Sequence, residues 1–255
     1  MQRRHPNQAV IVLESDKIEE LKQKLIQIKP DFLLVVSYGE IIPLPILQIA
    51  KHGSVNIHPS MLPLYRGASP LQETLLHGDL ETAISWIIMS EKMDAGNIIH
   101  QEKAHISEAD DYRSLSDRLS DEAAQITGDV LINYSKDHRA KAQNESGATY
   151  CKKISKEDGF INVEKETAGQ IVAKIKAYSM WPGCYIFWNN KRLKIIKAAV
   201  SEQKISSRIV ERIDGGLAIG TADGALIILR VQQEGKKEMP IEEFLRGQKE
   251  IPKTI

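Results

Sequence analysis

Cysteine is scarce in this chain, with two residues in 255, Cys151 and Cys184. They show no metal-ligand spacing and cannot build a disulfide framework, so a zinc module and a disulfide-stapled secreted domain are both excluded. Long apolar runs are missing too. No stretch reaches about 18 consecutive apolar residues, the minimum for a membrane-spanning helix. The opening residues "MQRRHPNQAV" carry two arginines but no apolar core behind them, which argues against a secretory leader. Net charge is zero, and no internal repeat or low-complexity segment stands out. These absences predict a cytoplasmic protein with free thiols.

What is present is globular in character. Hydrophobic residues make up 42% and charged residues 27%, and 255 residues suffice for one large domain or two ordinary ones. The zero net charge conceals a division. Residues 1–149 hold 15 Lys/Arg against 21 Asp/Glu, and residues 150–255 hold 19 against 13. Charge segregated in this way suggests two domains, the second suited to a polyanionic partner.

The first part alternates short apolar runs with amphipathic stretches. "AVIVL" (9–13) and "DFLLVVS" (31–37) are rich in β-branched residues and too short for helices, so they read as buried strands. Between them Ile18, Leu21, Leu25 and Ile28 recur at helical spacing, with Ser15 or Asp16 as N-cap. The resulting β-α-β unit implies a parallel sheet. "SVNIH" (54–58) and "AISWIIM" (83–89) supply further strands, with a helix over 70–78 between them. A longer helix is expected over 112–134. The polar, aperiodic residues 138–158 read as a linker between a first domain, 1–137, and a second, 159–255. There, a helix capped by Thr167 precedes five short strands separated by Asn189-Asn190, Asp214-Gly215-Gly216 and Asp223-Gly224, the grammar of a small antiparallel barrel.

Side chains alternate along a strand, so Asn56 and His58 share one face of "SVNIH" while Val55 and Ile57 take the other. Pro59 then ends the strand. The pair sits where open α/β sheets place ligands. Considered alone, it reads first as a core couple bonded to nearby backbone. Asp94-Ala95-Gly96 forms a turn after the next strand. An aspartate there can reach the Asn/His face, where a carboxylate beside an imidazole can manage proton movement. By itself the turn is ordinary loop chemistry.

Order and spacing together carry more. "NIHPSMLPLYRG" followed by "MDAGNII" resembles the folate-dependent formyltransferases, in which an Asn-x-His-x-Ser-Leu-Leu-Pro segment and a later aspartate form the active site. The resemblance implies that Asn56, His58 and Asp94 are catalytic. Ser60, Met61, Leu62 and Pro63 then line the folate site, with Met61 in place of the usual leucine. It also implies 10-formyltetrahydrofolate as formyl donor and no metal.

The sheet domain does not choose an acceptor, because nucleotide and sugar formyltransferases share this wording. "KISKEDGFINVEKETAGQIVAKIKAYSMWPGCYIFW" and "GTADGALIILRVQQEGKKEMPIEEFLRG" resemble the C-terminal domain of the branch that formylates initiator methionyl-tRNA. The basic second part then acquires a purpose, with tRNA phosphates meeting residues such as Lys191, Arg192, Lys194, Lys236 or Lys237. Trp181 is expected to pack between helix and barrel. The implied fold is a Rossmann-like α/β formyltransferase domain plus an OB-like β-barrel. The family's first strand–helix units have no counterpart ahead of "AVIVL", which predicts an uncovered apolar edge beside "DFLLVVS" and leaves a catalytically weak folate- or tRNA-binding homologue as an alternative.

Overall fold

The computed structural model describes residues 10–13, 17–39, 41–214 and 216–255. They form two compact units, one of the described residues up to Leu71 with Leu80–Ser107 and Leu115–Lys153, the other of Gln72–Asp79, Glu108–Ser114 and the described residues from Ile154 to Ile255.

Strands β1 (Leu33–Val36), β2 (Ser54–His58), β4 (Glu81–Ile88) and β5 (Ile98–His105) make the sheet of the first unit, in the order β1-β2-β4-β5. A two-stranded parallel ladder joins β3 (Arg66–Gly67) to β6 (Tyr150–Cys151). Helix α1 (Ile18–Ile28) turns Leu21 and Leu25 inward as its spacing predicts. They meet Val35 of β1 together with Ile42, Ile46 and Leu47, the last two from α2 (Leu44–Leu47). The expected caps Ser15 and Asp16 lie outside the described residues. Lys17 occupies the N-cap position, and its side chain makes no capping hydrogen bond.

Two expectations are corrected. Residues 10–13 of "AVIVL" form no strand; Ala9 lies outside the described residues. A strand exists only against another strand's backbone, and residues 10–13 lack one: Val10, Ile11 and Val12 are exposed, and only Leu13 packs on the core. Among the described residues β1 is therefore paired on one side only, with Leu34 and Val36 exposed.

The sheet is also mixed rather than parallel. β1 and β2 are parallel, but β4 runs antiparallel to β2, with His58 opposite Ser85 and Val55 opposite Ile88. A parallel neighbour would need a crossover along the whole strand. Helix α3 (Pro70–His77), ended by Gly78 at φ +70°, makes none. The long helix α4 (Tyr112–Asp137) buries Leu115, Leu119, Ala123 and Val130.

In the second unit Thr167 caps α5 (Ala168–Ala177) through a capping box with Gln170, and Ile171 and Ile175 are buried. All five expected strands form: β7 (Cys184–Trp188), β8 (Lys191–Ser201), β9 (Val210–Ile213), β10 (Gly216–Gly220) and β11 (Ala225–Gln233). A short sixth, β12 (Met239–Pro240), pairs with β11 ahead of α6 (Ile241–Arg246). The sheet is antiparallel throughout, in the order β7-β8-β11-β10-β9, and is OB-like. Asn189 and Asn190 both take positive φ, +48° and +62°, which the right-handed twist of a two-residue hairpin demands.

Trp181 does not pack as expected. It follows α5 in a turn closed by Gly183 and is 49% exposed, while Trp188 of β7 is the tryptophan buried in this unit, edge-on to Phe244. Burial pushes the Cys184 thiol up to about 12. A thiol raised in the folded state stabilises below its unfolded value, 9.0, and that contribution is lost as pH rises through about 12. Iodoacetamide at pH 8 should therefore leave Cys184 unmodified in the native protein and alkylate it after denaturation, as read by peptide mass mapping.

Candidate active site

β2 stops at His58 because Pro59 has no N–H to continue the ladder. Its pleat carries Asn56 and His58 to one face, and both meet Asp94 there. Asn56 Nδ2 donates to Asp94 Oδ1 at 3.2 Å, and His58 Nδ1 lies 3.7 Å from Asp94 Oδ2. The backbone N–H of Gly67 also donates to Oδ2, at 2.8 Å. Thus the structure brings together the three residues that the sequence marked.

Asp94 arrives by an unexpected route. Since β4 is antiparallel to β2, its end lies beside the start of β2, with Met89 N donating to Ser54 O at 2.8 Å. The loop from Met89 to Asn97 then returns over the sheet face. Asp94 takes φ +49° in that loop, a left-handed conformation that its short polar side chain tolerates. Gly96 lies so near the Ile88 carbonyl that a Cβ there would sit 1.6 Å from the oxygen. The glycine of "DAG" is therefore required by close approach.

His58 is almost fully buried, and its protonation pattern follows from its partners. Nε2 lies 2.9 Å from the carbonyl oxygen of Tyr65. A carbonyl only accepts, so Nε2 is the N–H that donates. Nδ1 is left to face Asp94. Asn56 spends one amide N–H on Asp94, and the second has no protein partner among the described residues.

The Ser60–Pro63 turn is pinned from below. Ser60 Oγ donates to Leu64 O at 2.6 Å, and Ser60 O accepts from Ser85 Oγ at 2.6 Å. Gln101 Nε2 donates to Ser85 Oγ at 2.7 Å and to Leu62 O at 3.2 Å. Ser60 and Leu62 are buried, whereas the side chains of Met61 and Pro63 stay partly accessible.

Sequence reasoning missed the residues that hold this site together. Arg66 is fully buried, and its guanidinium bonds to Gln143, Glu145 and Tyr150. Gln143 Nε2 in turn reaches Asp94 O and Gly96 O. Residues 149–151 clip onto the Tyr65–Gly67 segment: Tyr65 N donates to Thr149 Oγ1 and Arg66 N to Thr149 O. The only usable signal was an arginine between Tyr65 and Gly67; nothing marked Gln143.

The Formyl transferase family model matches residues 8–131, and the Formyl transferase C-terminal domain matches residues 153–249. A methionyl-tRNA formyltransferase from Thermodesulfovibrio yellowstonii is 35% identical over 236 residues, which is 92% of this chain and 76% of that protein. The chain belongs to the formyl transferase family. Two solved structures agree with this member's fold. HypX from Aquifex aeolicus, in complex with tetrahydrofolic acid, superposes with a TM-score of 0.67 at 19% identity, over 89% of this chain and 40% of that one. Methionyl-tRNA formyltransferase from Clostridium thermocellum gives 0.61 at 24% identity, over 73% and 80%. Among the described residues of this formyl transferase no cluster of three or more His, Cys, Asp or Glu could hold a metal, and no helix is long and apolar enough to cross a membrane.

Proposed function

We propose that this chain transfers the formyl group of 10-formyltetrahydrofolate to the amino group of methionine on initiator tRNA. The observation that carries this reading is the carboxylate of Asp94 held against both Asn56 and His58. The amine nitrogen attacks the formyl carbon, negative charge grows on the formyl oxygen, and the bond from that carbon to folate N10 breaks. The free N–H of Asn56 donates to the developing oxyanion. His58, whose Nε2–H is committed to Tyr65, joins it from Nδ1 when that nitrogen also carries a proton. Such a donor pair lowers the barrier by meeting charge where it appears. Asp94 orients His58 and relays the proton lost by the amine to the departing folate N10. Met61 and Pro63 offer partly accessible side chains to the folate, while Ser60 and Leu62 shape the turn that presents them.

The same proposal gives catalysis to residues 1–137 and acceptor-arm contact to 159–255, with 138–158 connecting them and its Gln143–Cys151 stretch bonded against the site. The candidate tRNA contacts Lys191, Arg192, Lys194, Lys236 and Lys237 are all exposed. Arg192 is stacked 4.5 Å over the Tyr185 ring, which leaves its planar fork pre-oriented for phosphate.

The test supplies formyl donor with charged initiator tRNA, with uncharged tRNA and with amino sugars. Formylation of the charged tRNA alone is the expected result. Product from an amino sugar without tRNA would move the chain to the sugar-modifying branch. Salt-sensitive tRNA binding without any formyl transfer would mark a non-catalytic homologue.

A further inference from the structure

Gln143 lies 49 residues beyond Asp94, in a stretch without secondary-structure periodicity, yet it touches the Asp94 loop directly. Its amide is used completely. Nε2 donates to the carbonyl oxygens of Asp94 at 2.7 Å and Gly96 at 2.8 Å. Oε1 accepts from Arg66 Nε at 3.1 Å and from Nη2 at 2.8 Å. The network allows one orientation of that amide. Turning it over would set its NH₂ against the arginine donors and its oxygen against two carbonyls.

Arg66 is used just as completely. Besides Gln143, it reaches Glu145 in a fork, Nη1 to Oε2 at 3.1 Å and Nη2 to Oε1 at 2.8 Å, and its Nη1 also reaches the Tyr150 hydroxyl at 3.2 Å. All five guanidinium N–H groups therefore have partners, and the side chain is fully buried. The next residue along the backbone, Gly67, donates its own N–H to the Asp94 carboxylate.

Asp94 is thus gripped twice from one anchor. Gly67 holds its side chain, and Gln143, fixed by Arg66, holds its backbone. The left-handed φ of Asp94 makes that second grip meaningful, because an aspartate has no intrinsic preference to remain there.

We infer that Gln143 is a positioning residue for Asp94, acting through the Asp94 and Gly96 carbonyls and itself set by Arg66. This rests on the reading that Asp94 takes part in formyl transfer. Gln143 touches no reacting atom. Its contribution is to keep the carboxylate within reach of His58 and Asn56 when the substrates arrive.

The experiment compares Gln143→Glu and Gln143→Ala with wild type and with Asp94→Asn, using 10-formyltetrahydrofolate and charged initiator tRNA. Gln143→Glu keeps an acceptor for Arg66, so the anchor survives, but it offers no N–H to the two carbonyls. A misplacement on the scale of an ångström costs up to about a hundredfold in rate. The expected result is a fall in kcat of about tenfold to a hundredfold for both variants, with KM for the folate within about threefold of wild type and with folding retained by circular dichroism. A purely structural role would lower the melting temperature but leave kcat per folded molecule unchanged. Folded Gln143→Glu with kcat within about twofold of wild type overturns the inference while Asp94→Asn is inactive. If Asp94→Asn itself keeps wild-type kcat, the site reading fails first and the inference falls with it.

Discussion

Asp94→Asn should lower the rate of formyl transfer by at least about a hundredfold, about 2.7 kcal/mol of barrier, while folate binding stays measurable. The substitution is nearly isosteric, so its effect is electronic and directional. In the native site both carboxylate oxygens accept, one from Asn56 Nδ2 and the other from Gly67 N. An asparagine has one acceptor and one NH₂, so one of these donors must face another donor. The charge opposite His58 Nδ1 disappears as well. Single-turnover formylation of charged tRNA, alongside equilibrium folate titration, separates the two consequences. Turnover close to wild type would remove Asp94 from the reaction. Loss of folate binding equal to the loss of turnover would make it a binding residue instead.

Arg66→Ala carries the second large effect, on stability. The guanidinium is fully buried and makes five hydrogen bonds, two of them to Gln143 Oε1. Removing it leaves that oxygen without its donors and opens a cavity beneath the Asp94 loop. Glu145 is exposed and regains water when the arginine goes, so the cost is that of a stranded Gln143 acceptor, about 1–3 kcal/mol, and a chain of this size loses about 2–4 °C of melting temperature per kcal/mol.

The pH dependence gives a second reading. The Arg66 guanidinium holds the Glu145 carboxyl below its ordinary value of 4.5. A carboxyl depressed in the folded state stabilises above its unfolded value, and that contribution is lost as pH falls through the lowered one. Wild type should therefore lose melting temperature more steeply than Arg66→Ala in that acid window. Parallel acid profiles in the two proteins would show that the pair contributes nothing to stability.

Local rules made the placement of the candidate residues legible, and the family resemblance singled them out as a site. Asn56 and His58 share a face because strand side chains alternate, and Pro59 ends the strand by lacking an N–H. Turn chemistry marked Asp94-Ala95-Gly96, and cap and hairpin signals at Thr167 and Asn189-Asn190 located α5 and the β7–β8 turn. Arg66, Gln143 and Glu145 left no comparable trace. Their bonds join segments 47 to 84 residues apart, and polar side chains in irregular chain carry no period from which a partner could be deduced.

Residues 10–13 show the opposite failure. They have the composition of a strand, but composition cannot provide the neighbouring backbone that makes one. The direction of β4 was hidden for a related reason. Apolar periodicity is the same for a strand read in either direction, so only tertiary packing chose antiparallel pairing and sent the Asp94 loop back across the sheet. By itself the sequence determined which chemical groups this protein owns and the order in which they occur. The tertiary structure alone decided which of those groups meet, because hydrogen bonds between distant segments exist only after the chain has closed its loops.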